Sequence, residues 1–254
     1  MTVWALGDYP RVAREVLAGL APRLVRACAV RPGRRVLDVG TGSGPVALAA
    51  AEAGADVVGV DVSPELLDVA RATRPGAAVE WVFADAQRLP FADGEFDAVL
   101  SCVGAVFAPD QRATAGELLR VCRPGGTIGM VNWTPAGSVG RFFDVFGGSP
   151  VTAWGERAHV RALFGDGVSA LTATEETLPV TRFATAARYC AYYKAHFGPV
   201  IAAFAEAADP TELDRRFLAY AEAELRGGLS YVGPSVLPAG REALVDPLAF
   251  GTHR

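Results

Sequence analysis

The chain has 254 residues, 51% of them hydrophobic, with 24 cationic and 28 acidic side chains giving a formal net charge of −4. This length and apolar content suit one α/β domain with an insertion and a single large core, and they exclude extended disorder. The scattered cations and negative balance argue against a nucleic-acid partner. The most apolar stretch, residues 45 to 60, carries Glu52 and Asp56 and so does not span a membrane. Cys28, Cys102, Cys122 and Cys190 lie far apart, with no C-x-x-C pair and no histidine at zinc-ligand spacing. No metal site is expected, and the thiols read as buried groups of a soluble protein in a reducing, cytoplasmic compartment.

In chain order, residues 10 to 29 (PRVAREVLAGLAPRLVRACA) place apolar side chains at helical spacing before Pro32-Gly33, which makes residues 1 to 32 a helical cap. RVLDVG then reads as a strand, PVALAAAEAG as a helix ended by Gly54, and DVVGVD as a second strand. SPELLDVARAT starts with a serine cap at Ser63 and proline at the first helical position, and VEWVFAD follows as a third strand. FDAVLSCVG is a fourth strand. A helix across PDQRATAGELLRVC, the turn RPGG and a fifth strand in TIGMVNW complete residues 33 to 133 as the core. Strand-helix alternation with short connections implies a parallel sheet covered on both faces.

After Trp133 the rhythm changes. RFFDVFG and ERAHVRALFG read as helices, residues 169 to 182 as a strand, and residues 185 to 207 and 210 to 226 as two helices, the second begun by Asp209-Pro210 with Glu212 in capping-box position. LSYVGPSVLPAG supplies a last strand, so residues 183 to 227 form a helical insertion within one domain spanning residues 1 to 254.

The apolar run RRVLDVGTGSGPVALAA breaks at Gly40, Thr41, Gly42 and Gly44, a turn whose backbone can approach a ligand closely. Taken alone, such a turn is also compatible with simple chain reversal. No lysine followed by Ser or Thr closes it, and the single lysine is Lys194, so a nucleoside triphosphate is excluded. A dinucleotide fingerprint wants glycine where Pro45 stands, a mismatch that leaves a nicotinamide-dependent oxidoreductase the weaker alternative. Asp61 ends the second strand, where a carboxylate can accept both ribose hydroxyls. Asp85, with Ala86 beside it, ends the third strand within reach of an adenine amino group. Asp38 ends the first, suited to an ammonium. Three carboxylates without a basic partner suit a cationic, phosphate-free nucleoside.

VLDVGTGSG, VVGVD, ADAQRLPFADGEFDAVLS and LLRVCRPGG, in that order, resemble the class I S-adenosylmethionine-dependent methyltransferases, within the small-molecule branch similar to ubiquinone and menaquinone biosynthesis methyltransferases. The resemblance covers residues 33 to about 133 specifically and extends more weakly to WALGDYPRVA, VNWTPAGSVGRFF, WGERAHVRALFG and HFGP. It implies a Rossmann-like α/β fold: a seven-stranded, mostly parallel sheet ordered 3-2-1-4-5-7-6 with strand 7 antiparallel, helices on both faces and a lid between strands 6 and 7. It also implies S-adenosylmethionine as cofactor, S-adenosylhomocysteine as product and a small-molecule acceptor of secondary-metabolite or quinone-like kind; from charge and hydropathy, neither nucleic acid nor a membrane is expected as partner. By position, Asp38 and Gly40 meet the methionine moiety, Asp61 the ribose, Val62 the adenine face, Asp85 and Ala86 the adenine edge, and Ser101 the floor beneath the sulfonium. The fold also serves cyclases and other natural-product enzymes that keep the cofactor without transferring its methyl group, and that alternative stays open here. So does a homodimer.

Methyl transfer rests on alignment in a water-poor cavity, with a general base as a modest addition. The base candidates are His196, chosen for its near-neutral unperturbed pKa, then Tyr193 and Tyr9. Trp4, Phe107, Trp133, Phe142, Phe143 and Tyr192 are the candidate walls of an acceptor pocket, although an aromatic stripe at helical spacing equally describes ordinary core. His159 reads as a helix-packing residue, and His253, in the tail, is assigned no role.

Overall fold

The computed structural model describes residues 2–226 and 230–239. Five strands run parallel in the order 3-2-1-4-5: β1 (Arg35–Val39), β2 (Asp56–Asp61), β3 (Val79–Phe83), β4 (Phe96–Cys102) and β5 (Cys122–Val131). Leu37 lies opposite Val58 on one side and Val99 on the other. Consecutive residues Val36 and Leu37, which point to opposite faces of the sheet, are both fully buried, as are Val57 and Val58. Both faces are therefore covered, which is why these strands are continuous apolar runs rather than alternating ones. Beyond β5, β7 (Ser230–Ala239) pairs antiparallel with both β5 and β6 (Ala170–Pro179).

Helices α3 (Pro45–Glu52), α4 (Pro64–Thr73) and α5 (Gln111–Val121) make the crossovers. Each begins on a local signal. Gly44 takes φ +87° ahead of Pro45, the Ser63 hydroxyl accepts from the Leu66 amide at 3.4 Å, and the Asp110 carboxylate accepts from the Ala113 amide at 2.9 Å. The strand order reverses beside β1, which pairs with β2 on one edge and β4 on the other; a crevice opens at such a point beyond the carboxyl ends of the strands.

Four sequence expectations are corrected. The single helix over residues 10 to 29 is two, α1 (Tyr9–Val16) and α2 (Leu20–Ala27), hinged at Leu17, Ala18 and Gly19. The hinge lets α2 lie on β4 and β5 while α1 meets α8 (Ala186–His196), contacts one straight helix could not make together. The helix over residues 185 to 207 is likewise split into α8 and α9 (Gly198–Glu206). Pro199 has no N–H to continue the helical ladder, and a side chain at Gly198 would strike the Val3 carbonyl at 1.9 Å, so the chain turns at Phe197 to let the N-terminal segment pass. The RPGG turn lies inside β5 as an irregularity, the register jumping from Phe96 opposite Cys122 to Ala98 opposite Thr127. The strand expected to reach residue 182 ends at Pro179.

The other late helices are α6 (Ser138–Val145), α7 (Arg157–Phe164) and α10 (Pro210–Arg226). At the start of α10 the Asp209 carboxylate accepts from the Glu212 amide at 2.9 Å, while Glu212 turns to Arg215 instead of closing a capping box. Residues 227, 229 and 240 of the expected lid and last strand, and His253, lie outside the described residues. Among the described residues no helix is long and apolar enough to cross a membrane.

Candidate active site

At the carboxyl ends of the parallel strands lies a cleft of about 310 Å³, lined from the sheet side by Gly40, Gly42, Asp61, Val62, Asp85 and Ala86 and from the N-terminal side by Trp4 and Tyr9. The residue that closes β2 is held through both of its oxygens. Asp61 accepts from the Gly42 amide at 2.8 Å through one oxygen and from the Ser63 amide at 2.9 Å through the other, and it is only 8% exposed. A carboxylate has further lone pairs on each oxygen, so both remain able to accept from a diol. Burial raises its pKa, opposed by those amide hydrogen bonds.

Asp38 lies behind the turn and does not line the cleft. Its Oδ2 accepts from the Thr41 hydroxyl at 2.6 Å and the Ala47 amide at 3.1 Å, whereas its Oδ1 is buried with no hydrogen-bond partner. Burial pushes its pKa up to about 7, partly opposed by the Thr41 and Ala47 bonds. A buried carboxyl with an open acceptor is suited to a nearby cation. Thr41 is therefore a support for Asp38 rather than a wall of the cleft.

The glycines divide by role. Gly40 has φ +69°, and a side chain there would meet Gly104 Cα at 2.6 Å; a side chain at Gly104 would meet the Gly40 carbonyl at 2.4 Å. The first turn and the loop after β4 thus touch backbone to backbone. Gly44 faces away from the cleft, where a side chain would strike the Trp81 ring at 2.5 Å. Ser101 is also no wall: its hydroxyl donates to the Val39 carbonyl at 2.7 Å and accepts from the Ala105 amide at 2.9 Å, pinning the two loops together. Val103, Gly104 and Ala105, which follow it in the chain, line the cleft instead.

Val62 is 47% exposed, unusual for a valine, and presents an apolar surface to the cleft. Asp85 accepts from the Gln87 side-chain amide at 3.0 and 2.9 Å, while the Gln87 carbonyl oxygen accepts from the Asp110 amide at 2.8 Å. Gln87, itself a cleft residue, was visible in ADAQRLP only as an ordinary polar residue. Val103 was not legible either. It adopts φ +54°, a strained conformation for a β-branched side chain, and the sequence carries no glycine there to announce it.

A second, apolar chamber of about 50 Å³ adjoins the cleft, and Trp4, Tyr9, Val103 and Phe107 line both. Trp133, Phe142, Phe143 and Tyr193 complete its candidate walls, joined by Leu17, Tyr189 and Phe197, which sequence reading missed. Phe142 is the hub, its ring centroid 5.4 Å from Tyr193 and 6.0 Å from Phe197. Trp4 stands edge-on to Phe107 at 4.5 Å.

Tyr192 and His196 belong elsewhere. One residue along a helix rotates a side chain by roughly 100°, so Tyr189 and Tyr193 share one face of α8 and Tyr192 and His196 another. The Tyr192 hydroxyl donates to Glu15 at 2.9 Å, its ring lies 4.4 Å beneath the Arg182 guanidinium, and the His196 ring packs 4.9 Å from it. Neither lines the cleft or the chamber. Arg182 and Arg11 also donate to Glu15, and these bonds, that to Arg182 foremost, hold the carboxyl at about 2. Tyr9, by contrast, does face both cavities, and burial pushes its hydroxyl well above the usual phenol range, with Cys102 and Asp61 adding to the rise. It is a hydrogen-bond donor rather than a base at neutral pH. His159 Nε2 lies 2.7 Å from the Gln111 side-chain oxygen, on the α7 to α5 contact.

Residues 37–130 match a family of methyltransferase domains. The uncharacterized protein Mb1440c of Mycobacterium bovis is 46% identical over 242 residues, covering 89% of this chain and 88% of that protein. A demethylmenaquinone methyltransferase of Thermus thermophilus is 40% identical over 119 residues, covering 44% of this chain and 54% of the enzyme. Among solved structures, a putative methyltransferase from an antibiotic biosynthesis pathway of Anabaena variabilis superposes with a TM-score of 0.64 at 17% identity, covering 87% of this chain and 96% of that one, a likeness of fold. Taken with the parallel sheet, these matches show that the chain belongs to the class I S-adenosylmethionine-dependent methyltransferases.

Proposed function

We propose that this chain binds S-adenosylmethionine in the strand-end cleft and methylates a small-molecule acceptor held in the aromatic chamber. The observation that carries this reading is the wall common to the two cavities, Trp4, Tyr9, Val103 and Phe107, which brings a nucleoside-sized cleft against an apolar one. The residues present fit the cofactor. Asp61 has acceptor capacity for the ribose hydroxyls, Val62 offers an apolar face to the adenine, and Asp85 with Ala86 and Gln87 lies at its edge. Gly40 and Gly42 leave room for the methionine moiety, and the open oxygen of Asp38 supplies a counter-charge from behind the turn. None of the described residues lining the cleft is Arg or Lys, which favours a phosphate-free cofactor over a dinucleotide.

When bound, the cofactor supplies an electrophilic methyl group. The chain's own part is to align the acceptor and exclude water, for which aromatic walls are suited, and a base from the protein is not required. His196 is dropped from the base role on its position, while Tyr9 and Tyr193 remain as donors that orient the acceptor. Residues 183 to 227 act as the lid, since α8 contributes Tyr189 and Tyr193 to the chamber, and residues 1 to 32 close the cleft through Trp4 and Tyr9. The seven-stranded family order, with its antiparallel last strand, belongs to the same reading and is supported by the pairing of β5, β7 and β6.

Calorimetric titration with S-adenosylmethionine and S-adenosylhomocysteine tests the proposal. Saturable binding of both is expected, and a folded protein that binds neither refutes it. Asp61→Ala removes two charge-assisted acceptors and should weaken binding roughly 100-fold, about 3 kcal/mol; unchanged affinity would remove Asp61 from the ribose. Product mass separates transfer, which makes the acceptor one methylene heavier, from cyclase chemistry, which yields an isomer.

A further inference from the structure

Asp85 follows β3, is exposed and lines the cleft. An aspartate in that setting ordinarily exchanges among rotamers, and a ligand that needs one of them loses affinity to the entropy of freezing it. Here the freezing is done in advance by one neighbour, the half-buried Gln87. Its backbone amide donates to Asp85 Oδ1 at 2.9 Å, and its side-chain nitrogen donates towards both oxygens, 3.0 Å from Oδ1 and 2.9 Å from Oδ2. A carboxylate offers about four acceptor positions, two on each oxygen. Gln87 fills both on Oδ1, and among the described residues Oδ2 keeps one open.

The orientation of Gln87 is itself imposed from the start of α5. Its side-chain oxygen accepts from the Asp110 amide at 2.8 Å. An N–H can only donate, so the oxygen end of the Gln87 amide is the one that faces Asp110, and the nitrogen end is turned to Asp85. Asp110 is anchored in its turn: its carboxylate accepts from the Ala113 amide at 2.9 Å and its carbonyl from the Thr114 hydroxyl at 2.8 Å. The loop that leads into Asp110 contributes Phe107, Ala108 and Pro109 to the cleft. One side chain therefore ties the end of β3 to the start of α5 and passes a fixed direction on to the carboxylate. Glutamine is suited to this because it accepts at one end and donates at the other. A glutamate would set two carboxylates against each other, and a methionine would offer neither bond.

We propose that Gln87 is a positioning residue that holds Asp85 in the one orientation able to accept the exocyclic amino group of the cofactor's adenine, and so sets the site's selectivity for that base. This rests on the cofactor reading above, in which Asp85 lies at the adenine edge. The full chain and its Gln87→Met and Gln87→Glu variants are titrated calorimetrically with S-adenosylhomocysteine and with its 6-deamino analogue, which differs only in carrying hydrogen in place of the amino group. The unaltered chain should prefer S-adenosylhomocysteine by about tenfold or more, the strength of one hydrogen bond to a charged group. In Gln87→Met the preference should fall to about threefold or less, through weaker binding of S-adenosylhomocysteine, with the analogue held within about twofold of its original affinity. Gln87→Glu keeps the acceptor for the Asp110 amide and should show the same fall, which assigns the effect to the donor end. Retained analogue binding shows that each variant folds. Equal weakening of both ligands in Gln87→Met marks a merely structural role and overturns the proposal, as does a preference that survives in either variant or is missing from the unaltered chain. An unaltered chain that binds neither ligand refutes the cofactor reading and this inference with it, whereas one that binds S-adenosylhomocysteine without the expected coupling refutes this inference alone.

Discussion

The cleft and the chamber share four walls but are built in opposite ways. The cleft is fixed by the backbone: Asp61 is clamped by two amides, Asp38 by Thr41 and Ala47, and the turn meets the loop after β4 glycine to glycine. The chamber is walled by side chains, its rings set edge to face or tilted against one another. Backbone contacts tolerate almost no displacement, whereas ring contacts lose strength gradually as they shift. The first kind of site can be rigid and ready; the second can open.

The largest effect that distinguishes them should come from steric insult. Gly104→Val forces a side chain onto the Gly40 and Val39 carbonyls and should destabilise the protein by about 3 kcal/mol while abolishing S-adenosylhomocysteine binding. Phe143→Leu, a volume change in the half-buried chamber wall, should cost only about 1 kcal/mol and leave the cofactor affinity nearly intact. Urea unfolding and calorimetry measure both, and equal costs would break the contrast.

Next is protonation, which should act on the cleft and not on the chamber. Asp38 has its pKa raised to about 7, so the carboxylate that would face a cation is mostly protonated at pH 6 and mostly ionised at pH 8. Affinity for S-adenosylhomocysteine should accordingly rise roughly tenfold over that interval, and Asp38→Asn should flatten the dependence. The sign for stability is the reverse. A raised folded-state pKa stabilises the fold at low pH and loses that contribution as pH rises through about 7, so the free protein should be less stable at pH 8 than at pH 5 in the part that Asp38→Asn removes. A profile unaltered in Asp38→Asn would assign the proton to another group.

The smallest effect belongs to the polar cluster behind the chamber. Tyr192→Phe deletes the hydroxyl that donates to Glu15 and should change stability by less than about 1 kcal/mol, with cofactor binding unaltered. A loss above about 2 kcal/mol in urea unfolding would show that the chamber, too, depends on a polar clamp.

The same contrast explains what could be read from the sequence. Gly40, Gly42, Asp61 and Asp85 are short-range signals at the ends of apolar strands and line the cleft, whereas Asp38, Thr41, Gly44 and Ser101, equally legible as residues, do not. What escaped acts through backbone shape: Val103 in a left-handed conformation and Gly104 pressed against Gly40 have no distinctive neighbours in sequence. In the chamber, residue type was legible and rotational phase was not. RYCAYYKAHF puts aromatics next to each other, and only the packing of α8 decides that Tyr193 turns inward with Tyr189 while Tyr192 and His196 turn to Glu15. The helix breaks were encoded, by Gly19 and by Gly198-Pro199, but a periodic apolar pattern runs across both and masks them.

Because Trp4, Tyr9, Val103 and Phe107 bound both cavities, the proposed cofactor and acceptor sites share one partition. Any rearrangement of those four side chains by an occupant of the cleft alters the chamber, and thermodynamic linkage then fixes the reciprocal effect: by whatever factor the first ligand changes the affinity for the second, the second changes the affinity for the first. A substitution in this shared partition therefore reports on both ligands at once.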